Sequence, residues 1–319
     1  MTVHTEILLI AIAVSIACAI PGVFLVLRRM SMMADAITHT VFLGIVLAFF
    51  MTEDLNSPFL LVGATLVGVG TVWLTEMIHN TGLVNEDASI GIIFPLLFSI
   101  AIILVSLYSG NAHLDVDTAL LGEIAFAPFD RWIVNGTDLG PISLWISLGV
   151  ALINLILVML FYKELQLSTF DPLLAGLFGF MPVLIHYVLM TMVSLTVVAS
   201  FQAVGAILVI GLMIGPAVIA YLWTDSVKAM LTSSIIIGII CAVIGTEVAF
   251  TMDVSIAGSI ATTIGIALII AVIATPKTGY IATYRRQRHL RRHYRETMML
   301  CHIYTHMDTP IAHVENGIG

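Results

Sequence analysis

The chain has 319 residues, of which 60% are hydrophobic and only 10% charged, with a mean hydropathy of +1.08. A soluble domain carries about 25% charged residues, so this chain lacks the polar surface to cover a globule in water, and a soluble enzyme, a nucleic-acid binder and a disordered scaffold are all excluded. Its net charge of -8 says less as a sum than through its distribution along the chain.

A membrane helix needs about 20 apolar residues. Such runs fall at 5–27, 32–51, 58–78, 89–108, 142–162, 180–200, 203–223, 228–250 and 256–274, nine in all. They predict an all-α polytopic membrane protein, with a transmembrane domain over 1–276 and a basic, His-containing cytoplasmic tail over 277–319. The first run has neither a charged leading region nor a cleavage site before a polar chain, so it reads as a span and not as a removable signal. The weakest division lies within 180–223. There Ser200-Phe201-Gln202 is the only interruption, and Gly205, Gly211, Gly215 and Pro216 could break or bend a helix.

Sidedness follows from the twelve Lys and Arg residues. With the N-terminus outside, Arg28, Arg29, Lys163, Lys228 and the tail from Lys277 to Arg295 all fall on the cytoplasmic side, and only Arg131 falls outside. This is the bias of the positive-inside rule, and it gives an N-out, C-in topology. The outer loops then carry Glu53-Asp54 and, within 109–141, Asp115, Asp117, Glu123, Asp130 and Asp138 against Arg131. Such a surface attracts cations, although an ordinary solvated loop has the same composition. Leu120 to Phe126 is too apolar for a plain linker and is expected to dip back toward the bundle.

An internal repeat supports two related halves. Gly22-Val23-Phe24-Leu25-Val26-Leu27 in span one matches Gly205-Ala206-Ile207-Leu208-Val209-Ile210 in span seven, and repeated halves are common in transporters. No Gly precedes any lysine, so no nucleotide-binding P-loop exists in this sequence. If nucleotide drives the protein, another chain binds it.

Ionisable groups inside apolar runs carry the chemistry, because burying a charge in hydrocarbon costs at least about 2.5–3.5 kcal/mol. In Met33-Ala34-Asp35-Ala36-Ile37-Thr38-His39 the acid and the imidazole are four apart and share one helical face. A carboxylate oxygen and an imidazole nitrogen suit a divalent first-row metal. Two ligands are too few, but a two-fold dimer with these faces opposed would supply four. The alternative is structural: Asp35 caps a later-starting helix and His39 pairs with it.

The stretch from Leu25 to His39, with Arg28-Arg29-Met30 followed by Asp35 and His39, closely resembles the signature of membrane permeases from bacterial ABC importers for manganese, zinc or iron. The similarity extends over about 5–275. Phe170-Asp171-Pro172-Leu173-Leu174-Ala175 resembles that family's ATPase-docking segment, and Gln202 to Gly205 with Gly215-Pro216-Ala217 resembles its seventh-span signature. The resemblance implies a homodimeric permease with a pathway at the subunit interface, two cytoplasmic ATP-binding subunits, and an extracellular metal-binding lipoprotein that delivers the ion. It implies that Asp35 and His39 form the channel metal site for the transported Mn2+, Zn2+ or Fe2+, with manganese slightly favoured, in the bacterial plasma membrane. No cofactor and no catalytic residue is expected.

The docking segment also makes sense from its residues alone. Lys163 to Phe178 carries Glu164 and Asp171-Pro172, a cap followed by Pro at the first helical position. The apolar ridge of Phe170, Leu173, Leu174 and Leu177 invites a partner, or else tucks onto the bundle. Glu247, inside span eight, is a further candidate for the cation path or for structural pairing. His186 reads as a hydrogen-bonded bundle histidine, and Glu76 and His79 as solvated inner-end groups. The six arginines from Arg285 to Arg295 suit contact with anionic lipid, and His302 with His306 suits a regulatory metal. A different transporter class, a secondary carrier, would use Asp35, His39 and Glu247 as proton relays. A metalloprotease would need His-Glu-x-x-His, which is missing from the sequence.

Overall fold

The structure, a computed structural model, describes residues 2–52, 57, 59–108, 124–134, 137–275, 290, 294–295, 297–302 and 304. Among these, nine helices are long and apolar enough to cross a membrane. They are α1 (Val3–Leu27), α2 (Ser31–Thr52), α3 (Phe59–His79), α4 (Glu86–Tyr108), α5 (Ile142–Leu160), α8 (Pro182–Val204), α9 (Ala206–Trp223), α10 (Val227–Met252) and α11 (Ile256–Ala274). Two short helices, α6 (Tyr162–Phe170) and α7 (Pro172–Leu177), lie between α5 and α8. The chain divides into two compact units, Met1–Leu268 and Ile269–Gly319. In the second unit the described residues after 275 are helical.

The first helix is the axis of the first unit. Its most apolar window is 78% buried, against 17% for α4, so α1 is enclosed by the chain while α4 turns most of its surface outward. Around α1 pack α2, α5, α8, α9 and α10. The principal apolar core joins Ile10, Val14 and Cys18 of α1 to Ile37 and Val41 of α2, Val193 and Val197 of α8, and Leu208, Leu212 and Met213 of α9. On the other side, α2 packs between α3 and α4.

Lipid tails give helices no hydrophobic reason to associate, so small residues that allow close backbone approach become important. At Gly44 of α2, an added Cβ would stand 2.5 Å from Ala64 Cα and 2.7 Å from Gly63 O on α3. Beside this crossing the buried Thr71 hydroxyl donates to Thr40 Oγ1 at 2.8 Å. The two helices are thus locked by backbone contact and by one polar pair.

The division within 180–223 falls at Gly205, one of the residues expected to break a helix there, and not at Ser200-Phe201-Gln202. Helix α8 runs through Ser200-Phe201-Gln202 without interruption and ends at Val204. Gly205 has φ 78° and ψ 166°, a conformation closed to residues with a side chain, and it separates α8 from α9. Pro216 lies inside α9. The count of nine stands, and the break is a single glycine.

Between α4 and α5, residues 109–123 lie outside the described residues, so the expected positions of Leu120–Glu123 and of Asp115 and Asp117 do too. Of the described remainder, Ile124 is buried and joins the principal core, while Phe126 is exposed. A 3-10 turn at Ala127–Phe129 leads into an antiparallel hairpin, β1 (Arg131–Val134) with β2 (Thr137–Pro141), in which Ile133 faces Asp138. The strands bracket Asn135-Gly136, a dipeptide that favours two-residue hairpin turns.

Candidate metal pathway and docking surface

Helix α2 begins at Ser31, so Asp35 lies inside it and does not cap it. Its rise places Asp35 about 6 Å and His39 about 12 Å from that inner end. His39 Nε2 stands 3.6 Å from Asp35 Oδ1, and the two side chains are 32% and 38% exposed, while Ala34, Ala36, Ile37 and Thr38 between them are buried. The pair therefore occupies one open stripe of an otherwise enclosed helix. The His39 ring lies 5.6 Å from Phe94 and 5.9 Å from Phe98, both on α4, which wall the imidazole on that side. Among the described residues no three His, Cys, Asp or Glu side chains gather to hold a metal. At this position one chain thus presents one carboxylate and one imidazole.

Glu247 is not brought to this pair. Its Oε1 lies 3.3 Å from His4 Nε2, and the His4 ring packs 4.3 Å from Phe250. His4 is in the first turn of α1 and Glu247 in the last two turns of α10, so this contact belongs to the outer end of the bundle, opposite Ser31.

Also at the outer end, Arg131 does not stand free among the acids. One guanidinium nitrogen donates to both oxygens of the buried Glu6 carboxylate at 2.8 Å, and another donates to Asp138 Oδ2. The Gly140 N–H and the Arg131 guanidinium together hold the Asp138 carboxyl below its ordinary pKa. These bonds, and the Asp138 carboxylate first among them, in turn raise the Arg131 pKa. Trp145 Nε1 donates to Leu139 O at 2.9 Å and ties the hairpin to α5. Of the other expected outer acids, Glu53, Asp54, Asp115, Asp117 and Glu123 lie outside the described residues.

At the inner end the docking segment has the expected local chemistry. Asp171 Oδ1 accepts from Leu174 N–H at 2.9 Å, capping α7, and Pro172 holds its first position. Leu173 and Leu177 are 84% and 85% exposed, Phe170 and Leu174 are also exposed, and Ala175 is fully buried. Glu164, in the first turn of α6, is partly exposed, with Oε2 buried and unpartnered among the described residues. The segment is thus two short helices seated on the bundle through Leu165, Ser168 and Ala175, with an apolar ridge turned outward.

Beside it opens a cavity of about 510 Å3, lined among others by Arg28, Met33, Glu76, His79, Glu86 and His186. Arg28 Nε donates to Thr169 Oγ1 at 3.1 Å, and NH2 donates to Ser168 Oγ at 3.2 Å. Its NH1 lies 3.1 Å from His186 Nδ1, whose Nε2 lies 2.7 Å from Glu76 Oε1. Burial lowers the Arg28 pKa from its ordinary value.

The family described as the ABC 3 transport family matches this chain over residues 2–275. The chain belongs to that family. It resembles the Bacillus subtilis protein named manganese transport system membrane protein MntD, 42% identical over 281 residues, or 88% of this chain and 95% of that one. It also resembles the Treponema pallidum zinc transport system membrane protein TroD, 44% identical over 311 residues, or 97% and 84% of the two chains. The solved structure of PsaBC from Streptococcus pneumoniae in complex with Fab superposes with a TM-score of 0.73 at 29% identity, covering 89% of this chain and 96% of that one. The likeness read from the Arg28–His39 stretch is borne out. This member of the ABC 3 transport family is a multi-pass plasma-membrane permease and not an enzyme, and membership sets aside the secondary carrier.

In this ABC 3 permease, sequence reasoning passed over the inner polar cluster. His186 was expected to be hydrogen-bonded within the bundle, and Glu76 to be merely solvated. The structure joins them to each other and to Arg28. No local spacing could have shown this, because Arg28, Glu76, Ser168 and His186 come from separate elements. His306 and His313 of the tail lie outside the described residues.

Proposed function

We propose that this permease imports a divalent transition metal, manganese in preference to zinc or iron, along an interface between two copies of the chain. The observation that carries the reading is the Asp35–His39 pair, 3.6 Å apart on the open stripe of a buried helix. Two charged or polar groups facing hydrocarbon would be costly. A second copy presenting the same stripe would cover them and complete a set of two oxygen and two nitrogen donors. Phe94 and Phe98 limit how far the imidazole can turn, so each copy offers its donors in a fixed direction.

The mechanism follows from that half-site. An extracellular metal-binding lipoprotein delivers the ion to the outer end of the dimer. Cytoplasmic ATP-binding subunits grip the ridge of Phe170, Leu173, Leu174 and Leu177, with Asp171 and Pro172 fixing the helix that bears it and Glu164 at its edge. Their closure shifts the two copies against each other, the shared donors separate, and the ion leaves inward. Mixed oxygen and imidazole donors bind manganese, zinc and iron alike, and the two relatives described above are named for manganese and zinc. The basic tail 277–319 holds anionic lipid on the inner face.

The test is uptake of each metal into proteoliposomes holding the permease with its ATP-binding subunits and lipoprotein. Wild type should accumulate manganese most, and Asp35→Ala and His39→Ala should each abolish uptake while still assembling. Normal uptake by both variants would overturn the site.

A further inference from the structure

The transport mechanism above leaves unused a continuous polar chain that begins on the docking helices and ends on α3. Arg28 sits in the turn between α1 and α2, and its guanidinium reaches in two directions. Toward the docking side it donates to Thr169 and Ser168 of α6 at 3.1 and 3.2 Å. Toward the bundle, NH1 lies 3.1 Å from His186 Nδ1 on α8. A guanidinium has only donors, so Nδ1 must accept and the His186 proton must sit on Nε2. That nitrogen faces Glu76 Oε1 at 2.7 Å, and the other carboxylate oxygen accepts from the Tyr187 hydroxyl at 2.6 Å. His186 and Glu76 thus form a close pair, with Nε2 buried and without an aligned hydrogen bond among the described residues.

The turn that carries Arg28 has little slack. Arg28, Arg29 and Met30 each donate a backbone N–H into the last turn of α1, to Phe24 O, Val26 O and Leu25 O at 2.9–3.1 Å. Arg29 holds φ 62°, an uncommon value for a residue with a side chain. Force applied at the guanidinium therefore passes to the end of α1 and the start of α2 instead of being absorbed. Asp35 follows one turn later on the same continuous helix. Met30 and Met33 line the 510 Å3 cavity, which gives the turn room to move.

We infer that Arg28 is a positioning residue for transport: with His186 as its bridge to Glu76, it transmits movement of the docking helices to the helix that holds Asp35 and His39. This rests on the reading that ATP-binding subunits seat on 162–178. The relay acts on coupling and not on metal binding, since none of its members belongs to the Asp35–His39 pair.

The experiment measures metal imported per ATP hydrolysed in proteoliposomes with the full assembly. Arg28→Gln and His186→Leu should retain the ATP-binding subunits and the metal affinity of the detergent-purified permease. Both should lower the ratio by about 10-fold or more, within the range of measured coupling between sites. His186→Gln, whose amide can accept from Arg28 and donate to Glu76, should recover most of the ratio. If Arg28→Gln fails to assemble, the double variant Ser168→Ala, Thr169→Val cuts the same link from the docking side and should lower the ratio likewise. A wild-type ratio in these variants, or His186→Gln no better than His186→Leu, overturns the relay. Failure of the wild-type assembly to import any metal would instead overturn the function proposed above.

Discussion

Replacing Gly44 by Ala tests whether backbone contact between α2 and α3 sets the position of the helix that carries Asp35 and His39. The new Cβ would meet Ala64 Cα at 2.5 Å, Gly63 O at 2.7 Å and Ala64 N at 2.9 Å, all backbone atoms that cannot swing away. Carbon atoms in contact sit about 3.5–4.0 Å apart, so the helices must separate by about 1 Å. That movement stretches the buried Thr71–Thr40 hydrogen bond from 2.8 Å to beyond bonding range, a loss of about 1 kcal/mol. Overpacking adds about 1–3 kcal/mol, and the better helix propensity of Ala returns up to about 1 kcal/mol. The net expectation is a loss of about 1–3 kcal/mol, seen as a lower Tm of the detergent-purified protein. Gly70→Ala on α3 is the control, because nothing lies within 4 Å of its added Cβ, and it should melt at or slightly above wild type. If Gly44→Ala melts as high as Gly70→Ala, the close crossing does not hold α2 in place.

Three further outcomes are expected. Gly205→Ala must adopt φ 78° with a side chain, at about 1–3 kcal/mol of strain, so it should lower the Tm and slow uptake while Ala203→Gly does not slow it. Leu173→Asp and Leu177→Asp, at 84% and 85% exposure, should leave the Tm of the isolated permease unchanged and abolish co-purification of the ATP-binding subunits; retained co-purification would move the docking surface elsewhere. Because the folded Asp138 pKa lies below its ordinary 3.8, its bonds stabilise the hairpin fully above that pH and are lost as pH falls through the still lower folded value. Tryptophan fluorescence from Trp132 and Trp145 should report loosening below about pH 4, and Asp138→Asn should remove that dependence.

The membrane made much of this architecture legible. Hydrocarbon thickness fixes helix length and the charge bias fixes direction, so nine spans and their order followed from composition. Helix periodicity placed Asp35 and His39 on one face, and the Asp171-Pro172 pair marked the start of α7. Other features depend on information that local pattern does not carry. Ser200-Phe201-Gln202 and Gly205 both read as possible breaks; isolated polar side chains can remain within a helix, whereas Gly205 breaks it through its backbone. The Asn135-Gly136 hairpin signal was present but hidden in what looked like an acidic loop. Glu247 read either as a pathway acid or as a structural pair, and only the fold set His4 beside it. His186 and Glu76 acquired meaning only when α3 and α8 brought them to Arg28.

These contacts give α2 a particular place in the physical argument. Its outer half is pinned to α3 at Gly44, its face carries Asp35 and His39 one and two turns from its start, and its first residue follows a turn tied to α6 through Arg28. A continuous helix between two attachments moves as a unit, so displacement at its inner end becomes displacement of Asp35 and His39 and not local fraying. The donors have no third protein ligand in their own chain among the described residues. Under the proposed function, a shift of about 1 Å in one copy would therefore change the distance to a second copy's pair while leaving the spacing within the pair, set by one helical turn, untouched. In the import mechanism proposed above, release by separating two rigid half-sites requires no ligand to dissociate from its own helix, and it places the work of opening on the packing around α2.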